Sequence, residues 1–180
     1  MAGRPRRRAL RGRRAPVEEP ASAAAARSRA LGLLGRRDYA RAALEDRLTD
    51  EGFEAAAVDE ALAALERERL LSDARYAEAA VASRIARGHG PLRIALELKR
   101  LGLAAELVTA AVDAGSADWD GRAASARRRR FGAALPKGAA ERQRVARFLL
   151  ARGFTGRQVS AALGAAGRDE FEELELAAED

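Results

Sequence analysis

Residues 44–62 read LEDRLTDEGFEAAAVDEAL, and their spacing decides the fold. Leu44 and Leu48 stand four apart, so they share one face of a helix. Gly52 falls where a chain leaving that helix takes the left-handed backbone that favours a residue without Cβ. Phe53 can then fold back onto Leu48 in a Schellman stop. The same ring can staple to Val58, one turn into a second helix that also carries Leu62. The stretch encodes a helix, a tight glycine corner and another helix.

The pattern occurs three times. Gly102 and Gly153 follow Gly52 at intervals of 50 and 51 residues. Eight positions before each glycine stand Leu44, Ile94 and Val145, and four before stand Leu48, Leu98 and Leu149. Phe53, Leu103 and Phe154 follow directly; Val58, Val108 and Val159 come next, then Leu62, Val112 and Leu163. Thr155 is the expected N-cap of the third unit's last helix. A further helix is expected ahead of each pair, at about residues 27–36, 73–87 and 118–132. Ser72 with Asp73 and Ser116 with Asp118 would start the latter two. Pro91 suits a first helical turn behind Gly90. No stretch alternates apolar and polar residues as a strand would. The expected fold is all-α: three tandem three-helix repeats over residues 29–71, 72–115 and 116–168. A unit of about 45 residues buries little core alone, so the repeats are expected to stack into an elongated array.

Composition agrees. Apolar residues make up 48% of the 180-residue chain and aromatics only 4%, much of the rest being alanine, the strongest helix former. There is no cysteine, which excludes disulfides and thiolate metal sites. No apolar run approaches the ~20 residues that span a bilayer. The arginine-rich N-terminus lacks the apolar segment of a secretory signal. A cytoplasmic protein without membrane contact is expected, and a monomer, since no heptad seam or spare apolar face is apparent.

Net charge is +6, but it is segregated. Residues 1–28, read as a disordered basic arm, carry +6; repeat one carries −3 and repeat two +1. Repeat three carries +9, and the tail 169–180, DEFEELELAAED, carries −7. That tail either folds onto the basic third repeat or serves only solubility.

Several stretches resemble the RecX family, regulators of the bacterial RecA recombinase. They are Asp73-x-Arg75-Tyr76-Ala77 and Gly88-x-Gly90-x-x-Arg93-Ile94-x-x-Glu97-Leu98-x-x-x-Gly102 in the second repeat. In the third they are Trp119, Arg130-Phe131-Gly132 and Arg147-Phe148-Leu149-x-x-Arg152-Gly153-Phe154. The resemblance covers roughly residues 28–165. Where the family usually carries serine and then glutamate at the start of the second helix, this chain has Ala40 and Ala43, with Asp38 as a substitute cap. The resemblance implies a curved helical array lying in the groove of the RecA–DNA filament. It implies inhibition or modulation of RecA ATP hydrolysis and strand exchange in recombination, DNA repair and the SOS response.

The residues expected to meet the filament or its DNA are Arg75, Arg93, Lys99 and Arg100 in repeat two. In repeat three they are Arg127, Arg128, Arg129, Arg130, Arg142, Arg144, Arg147, Arg152 and Arg157, a density of positive charge that steers toward phosphate or acidic protein. Tyr76, Trp119, Phe131 and Phe148 stand either in the core or against bases. Arg93 and Glu97, four apart on one helix, are either a surface ion pair or a partner contact. His89, the single histidine, is expected as an exposed turn residue.

No phosphate loop, nucleophile–base pair or spaced set of metal ligands is present, so neither catalysis nor a cofactor is expected. A helix-turn-helix-like DNA binder acting without RecA remains the competing reading, since three-helix units, a basic arm and a basic patch suit one. A protein-binding helical scaffold is the third.

Overall fold

A computed structural model of the chain describes residues 17–164. The first sixteen residues of the basic arm and the whole acidic tail lie outside the described residues. Among the described residues there are nine helices and no strand. They are α1 (Ala23–Leu34), α2 (Arg41–Glu51), α3 (Ala55–Arg67), α4 (Asp73–Ala86), α5 (Pro91–Arg100), α6 (Ala105–Gly115), α7 (Trp119–Phe131), α8 (Ala139–Ala151) and α9 (Gly156–Ala162). All fifteen apolar positions of the threefold register are buried.

The glycine corners form as their spacing requires. Gly52, Gly102 and Gly153 have φ of 106°, 81° and 83°. The amides of Phe53, Leu103 and Phe154 donate to the carbonyls of Leu48, Leu98 and Leu149, and each glycine amide donates three residues back. These are the paired bonds of a Schellman stop. Ser72, Asp118 and Thr155 cap α4, α7 and α9, the last in a reciprocal capping box with Gln158.

The described chain forms two compact units. The first comprises the residues up to Arg37 together with Leu44–Leu71. In it α1 packs on α3, burying Ala26, Ala30 and Leu33 with Val58, Leu62 and Leu65. Arg29 holds the buried carboxylate of Glu51 through two bonds of 2.6 and 2.7 Å. Helix α1 begins at Ala23 behind Ser22, whose hydroxyl accepts from Ala25. It therefore starts inside the stretch read as a basic arm and ahead of the expected residue 27. The reason is a serine cap followed by four alanines, which needs no apolar period to form a helix.

The second unit comprises Asp38–Ala43 and the chain from Ser72 onward. Helices α4, α5 and α6 enclose a core around Ile94, Leu98 and Val108 that also takes Ala40. Helices α7, α8 and α9 enclose another around Leu149, Phe154 and Val159, and Trp119 packs against both. The departure at Ala40 and Ala43 is thereby explained, since both are small residues packed on the repeat-two core. The cap expected from Asp38 comes instead from Asp73, whose carboxylate accepts the Arg41 amide at 2.7 Å. Asp38 is exposed and makes no hydrogen bond among the described residues. A cap donated from 32 residues away is invisible to local spacing.

Candidate functional site

Where repeats two and three meet, one helix end faces another. The N-cap residue Gly90 donates its amide to the Arg152 carbonyl at 2.7 Å, and Leu92 donates to the Gly153 carbonyl at 3.0 Å. Pro91, between them, has no amide hydrogen to satisfy. The orphan donors that open α5 are thus paired with carbonyls that close α8.

The end of α4 lies beside this junction. Its C-cap is Arg87, followed by Gly88 with φ 79°. The carbonyl end of a helix is its negative pole, and cations gather there. Arg152 donates to the Arg87 carbonyl at 2.9 Å, while its guanidinium lies over Phe148 with 4.9 Å to the ring centre. Arg129 approaches the same corner, close enough that a Cβ on Gly88 would lie 3.1 Å from its Nη2.

Two adjoining hollows result. Arg87, Ala126, Arg129, Arg130, Phe148 and Arg152 line one of about 240 Å³. Arg130, Phe131, Arg144 and Phe148 line another of about 500 Å³. Phe131 and Phe148 meet edge to face, 5.3 Å apart at 89°. The guanidiniums of Arg130 and Arg144 lie 5.7 and 5.4 Å from the centre of Phe131. Both rings are half-buried against the repeat-three core, so each serves core and cleft at once.

No carboxylate lines either hollow. Among the described residues, Arg87, Arg129, Arg130, Arg144 and Arg152 have no acidic partner. Five unneutralised guanidiniums in one cleft repel one another, and an anion relieves that repulsion. The planar, weakly hydrated guanidinium grips phosphate or carboxylate through paired donors. Half-buried rings add faces on which a base or another planar group can stack.

The structure gathers Arg129, Arg130, Arg144 and Arg152 of the expected residues and adds Arg87, which the sequence reading missed. Nothing near Arg87 in the chain marks it, because its neighbours come from α7 and α8. Arg127 is corrected. It is only 4% exposed, and its guanidinium donates to the carbonyls of Gly132, Ala133 and Ala134. It ties down the loop after α7 and does not line the cleft. A run of four arginines must cover every side of a helix, so one member turns inward.

The remaining expected residues lie outside the cleft. Arg128 is exposed and donates to Ser125, Arg157 pairs with Asp120 at 2.8 Å, and Arg147 is exposed. Arg142 is half-buried, and Arg75, Lys99 and Arg100 are exposed. Arg93 donates to Glu97 at 3.0 Å and reaches the Ala151 carbonyl across the junction.

Glu97 is the hub of a small network. Arg84 and Arg93 both donate to it, and His89 Nδ1 lies 3.8 Å away. Burial pushes its carboxyl upward, but the two arginine hydrogen bonds outweigh that and hold it below the usual carboxylate value. His89 is largely covered, which corrects the exposed turn residue expected from the sequence. Burial lowers its pKa first; Arg93 adds to the lowering against the upward pull of Glu97, and Arg152 and Arg84 push the same way as Arg93.

Fold and site together define a tandem helical-repeat protein with an anion-attracting cleft where two of its repeats meet. The comparisons make the class specific. The family descriptions "RecX, first three-helix domain", "RecX, second three-helix domain" and "RecX, third three-helix domain" match residues 26–65, 72–112 and 120–163. The chain belongs to the RecX family. It is 42% identical over 153 residues to "Regulatory protein RecX" of Halorhodospira halophila, covering 85% of this chain and 95% of that one. It is 41% identical over 128 residues to the protein of that name from Stenotrophomonas maltophilia, covering 71% and 78%. The crystal structure of RecX from Lactobacillus salivarius shares its fold, with a TM-score of 0.70 at 19% identity over 86% of this chain and 97% of that one.

Proposed function

We propose that the chain is a regulator of the RecA recombinase that binds the RecA–DNA filament and restrains its ATP hydrolysis and strand exchange. In this reading it acts in the cytoplasm, in recombination, DNA repair and the SOS response, with no chemistry of its own. One observation within the molecule carries the reading. A family member presents five acid-free guanidiniums and two half-buried rings in a single cleft. Such a surface suits a polyanion flanked by protein, which is what a nucleoprotein filament offers. Among the described residues no group of three or more His, Asp or Glu side chains is placed to hold a metal ion. No helix there is long and apolar enough to cross a membrane.

The same cleft supports a second reading, a DNA binder that needs no RecA. The test is RecA's DNA-dependent ATP hydrolysis, measured with increasing amounts of this protein at two salt concentrations. Inhibition at amounts well below RecA, persisting at moderate salt, supports the filament regulator. Inhibition that vanishes with salt and tracks binding to naked DNA supports the second reading. The absence of any inhibition would overturn the first.

A further inference from the structure

On the junction between α5 and α8 lies a groove of different character from the arginine cleft. Leu92, Arg93, Leu96, Glu97, Arg100, Leu150, Ala151 and Gly153 line about 500 Å³. Leu92 and Leu96, one helical turn apart, are 53% and 49% exposed. They are two of the four large apolar residues left exposed among the described residues. The charge of Glu97 is already met by Arg84 and Arg93. Arg100, on the rim, has no acidic partner among the described residues. The groove therefore asks for a short segment with apolar anchors and acidic flanks.

We infer that the occupant is this chain's own C-terminal segment, whose sequence offers Phe171 and Leu174 as apolar anchors for the surface of Leu92, Leu96 and Leu150 and seven acidic groups for Arg93 and Arg100. Residues 169–180 hold seven acidic groups and no basic one. Their large apolar residues are Phe171, Leu174 and Leu176, and the first two are three positions apart. The described chain ends at Gly164, ten residues before Leu174. Ten residues extend to about 33 Å, against a length of about 20 Å for a helix of α8's size, so reach is ample.

Size favours a tethered occupant over a separate one. Two half-exposed leucines and their rim fall well short of the roughly 1,000 Å² that a specific interface between separate proteins needs. A segment on a short tether acts at an effective concentration of about millimolar, so a contact too weak between molecules is populated within one. The apolar anchors select this groove over the arginine cleft, whose demand for anions is met by charge alone. Docking there does not depend on the function proposed above. Only its consequence does: the segment competes with the target for Arg93 and Arg100.

The chain contains no cysteine, so Ala177→Cys gives a single site for a nitroxide label. In the full chain, amide NMR signals of residues 92–100 and 150–153 are expected to broaden. Leu92→Ser with Leu96→Ser, both exposed positions, should remove the broadening, as should Phe171→Ser with Leu174→Ser. Broadening centred on Arg130, Arg144 and Phe148 would overturn the inference, showing a charge-driven contact with the cleft. So would broadening confined to the neighbours of Gly164, or broadening of labelled chains only by separate spin-labelled chains. Ending the chain at Arg168 should raise affinity for single-stranded DNA by about two- to fivefold at low salt, the gain expected when a competitor bound for about half to four-fifths of the time is removed. Broadening as expected with unchanged DNA affinity would overturn the competition and, with it, the role of Arg93 and Arg100 in target binding.

Discussion

The amide of Gly90 donates to the carbonyl of Arg152 at 2.7 Å, and a Cβ on Gly90 would overlap the carbonyl of the adjoining Gly153. Gly153 is crowded in return, because a Cβ there would overlap the backbone and Cβ of Arg93. Two glycines 63 positions apart in the chain thus allow two helix ends to touch through backbone alone. That junction sets the positions of Arg87 and Arg152, and hence of the cleft.

Gly90→Ala is therefore expected to lower stability by about 2 kcal/mol, since backbone atoms cannot give way as a flexible side chain would. Gly153→Ala should cost more, because φ of 83° adds strain to the clash. Gly32 is the control: it lies within α1, and a Cβ added there would meet nothing within 4 Å. Gly32→Ala should stabilise by about 0.5–1 kcal/mol. Urea midpoints of the three variants check both signs.

Arg127 and Arg130 are near neighbours in sequence with different work. Arg127→Met should destabilise the fold by about 1–3 kcal/mol by leaving three loop carbonyls without their shared donor. Arg130→Glu with Arg144→Glu should leave the urea midpoint nearly unchanged. The same pair should weaken binding to single-stranded DNA and flatten its dependence on salt, by roughly one unit of slope for each phosphate no longer held. Binding isotherms at three salt concentrations, beside a urea melt, separate the two effects.

Asp73→Ala should cost about 0.5–2 kcal/mol through loss of the cap on α2. Asp38→Ala should be neutral, since that exposed carboxylate caps nothing in the described structure. Circular dichroism melts of the two variants decide between the caps.

His89 gives stability a dependence on pH. Its folded pKa is lowered, chiefly by burial and then by Arg93, so the unfolded chain takes up the proton first. Stability is full above the unfolded value of about 6.5 and falls as pH drops from there toward the folded value. The lowered carboxyl of Glu97 adds a further loss in the same direction, below the ordinary carboxylate range. Urea midpoints measured from pH 8 to pH 5 should decline, and His89→Asn should remove the part of the decline that begins near neutrality.

Much of the fold is legible because its determinants are local. The register on Gly52, Gly102 and Gly153 names the helix ends, and the fifteen apolar positions around it are buried. The caps Ser72, Asp118 and Thr155 are legible for the same reason: cap and capped amide lie three residues apart. The site is legible only as a density of charge. Spacing on a helix shows which arginines share a face, but not which face another repeat covers.

Interactions within one or two turns set the order of the nine helices among the described residues, the three glycine corners and the basic character of the third repeat, and all of these can be read from the chain alone. Packing between distant segments was needed to bring Arg87 into the cleft, to make Asp73 the cap of α2 and to leave Leu92 and Leu96 exposed. Each of these depends on a neighbour more than thirty residues away or on the lack of one. The burial of Arg127 also required three dimensions, because it follows from the course of the loop after α7. Periodicity fixes which side of a helix is apolar; it carries no information about what lies opposite.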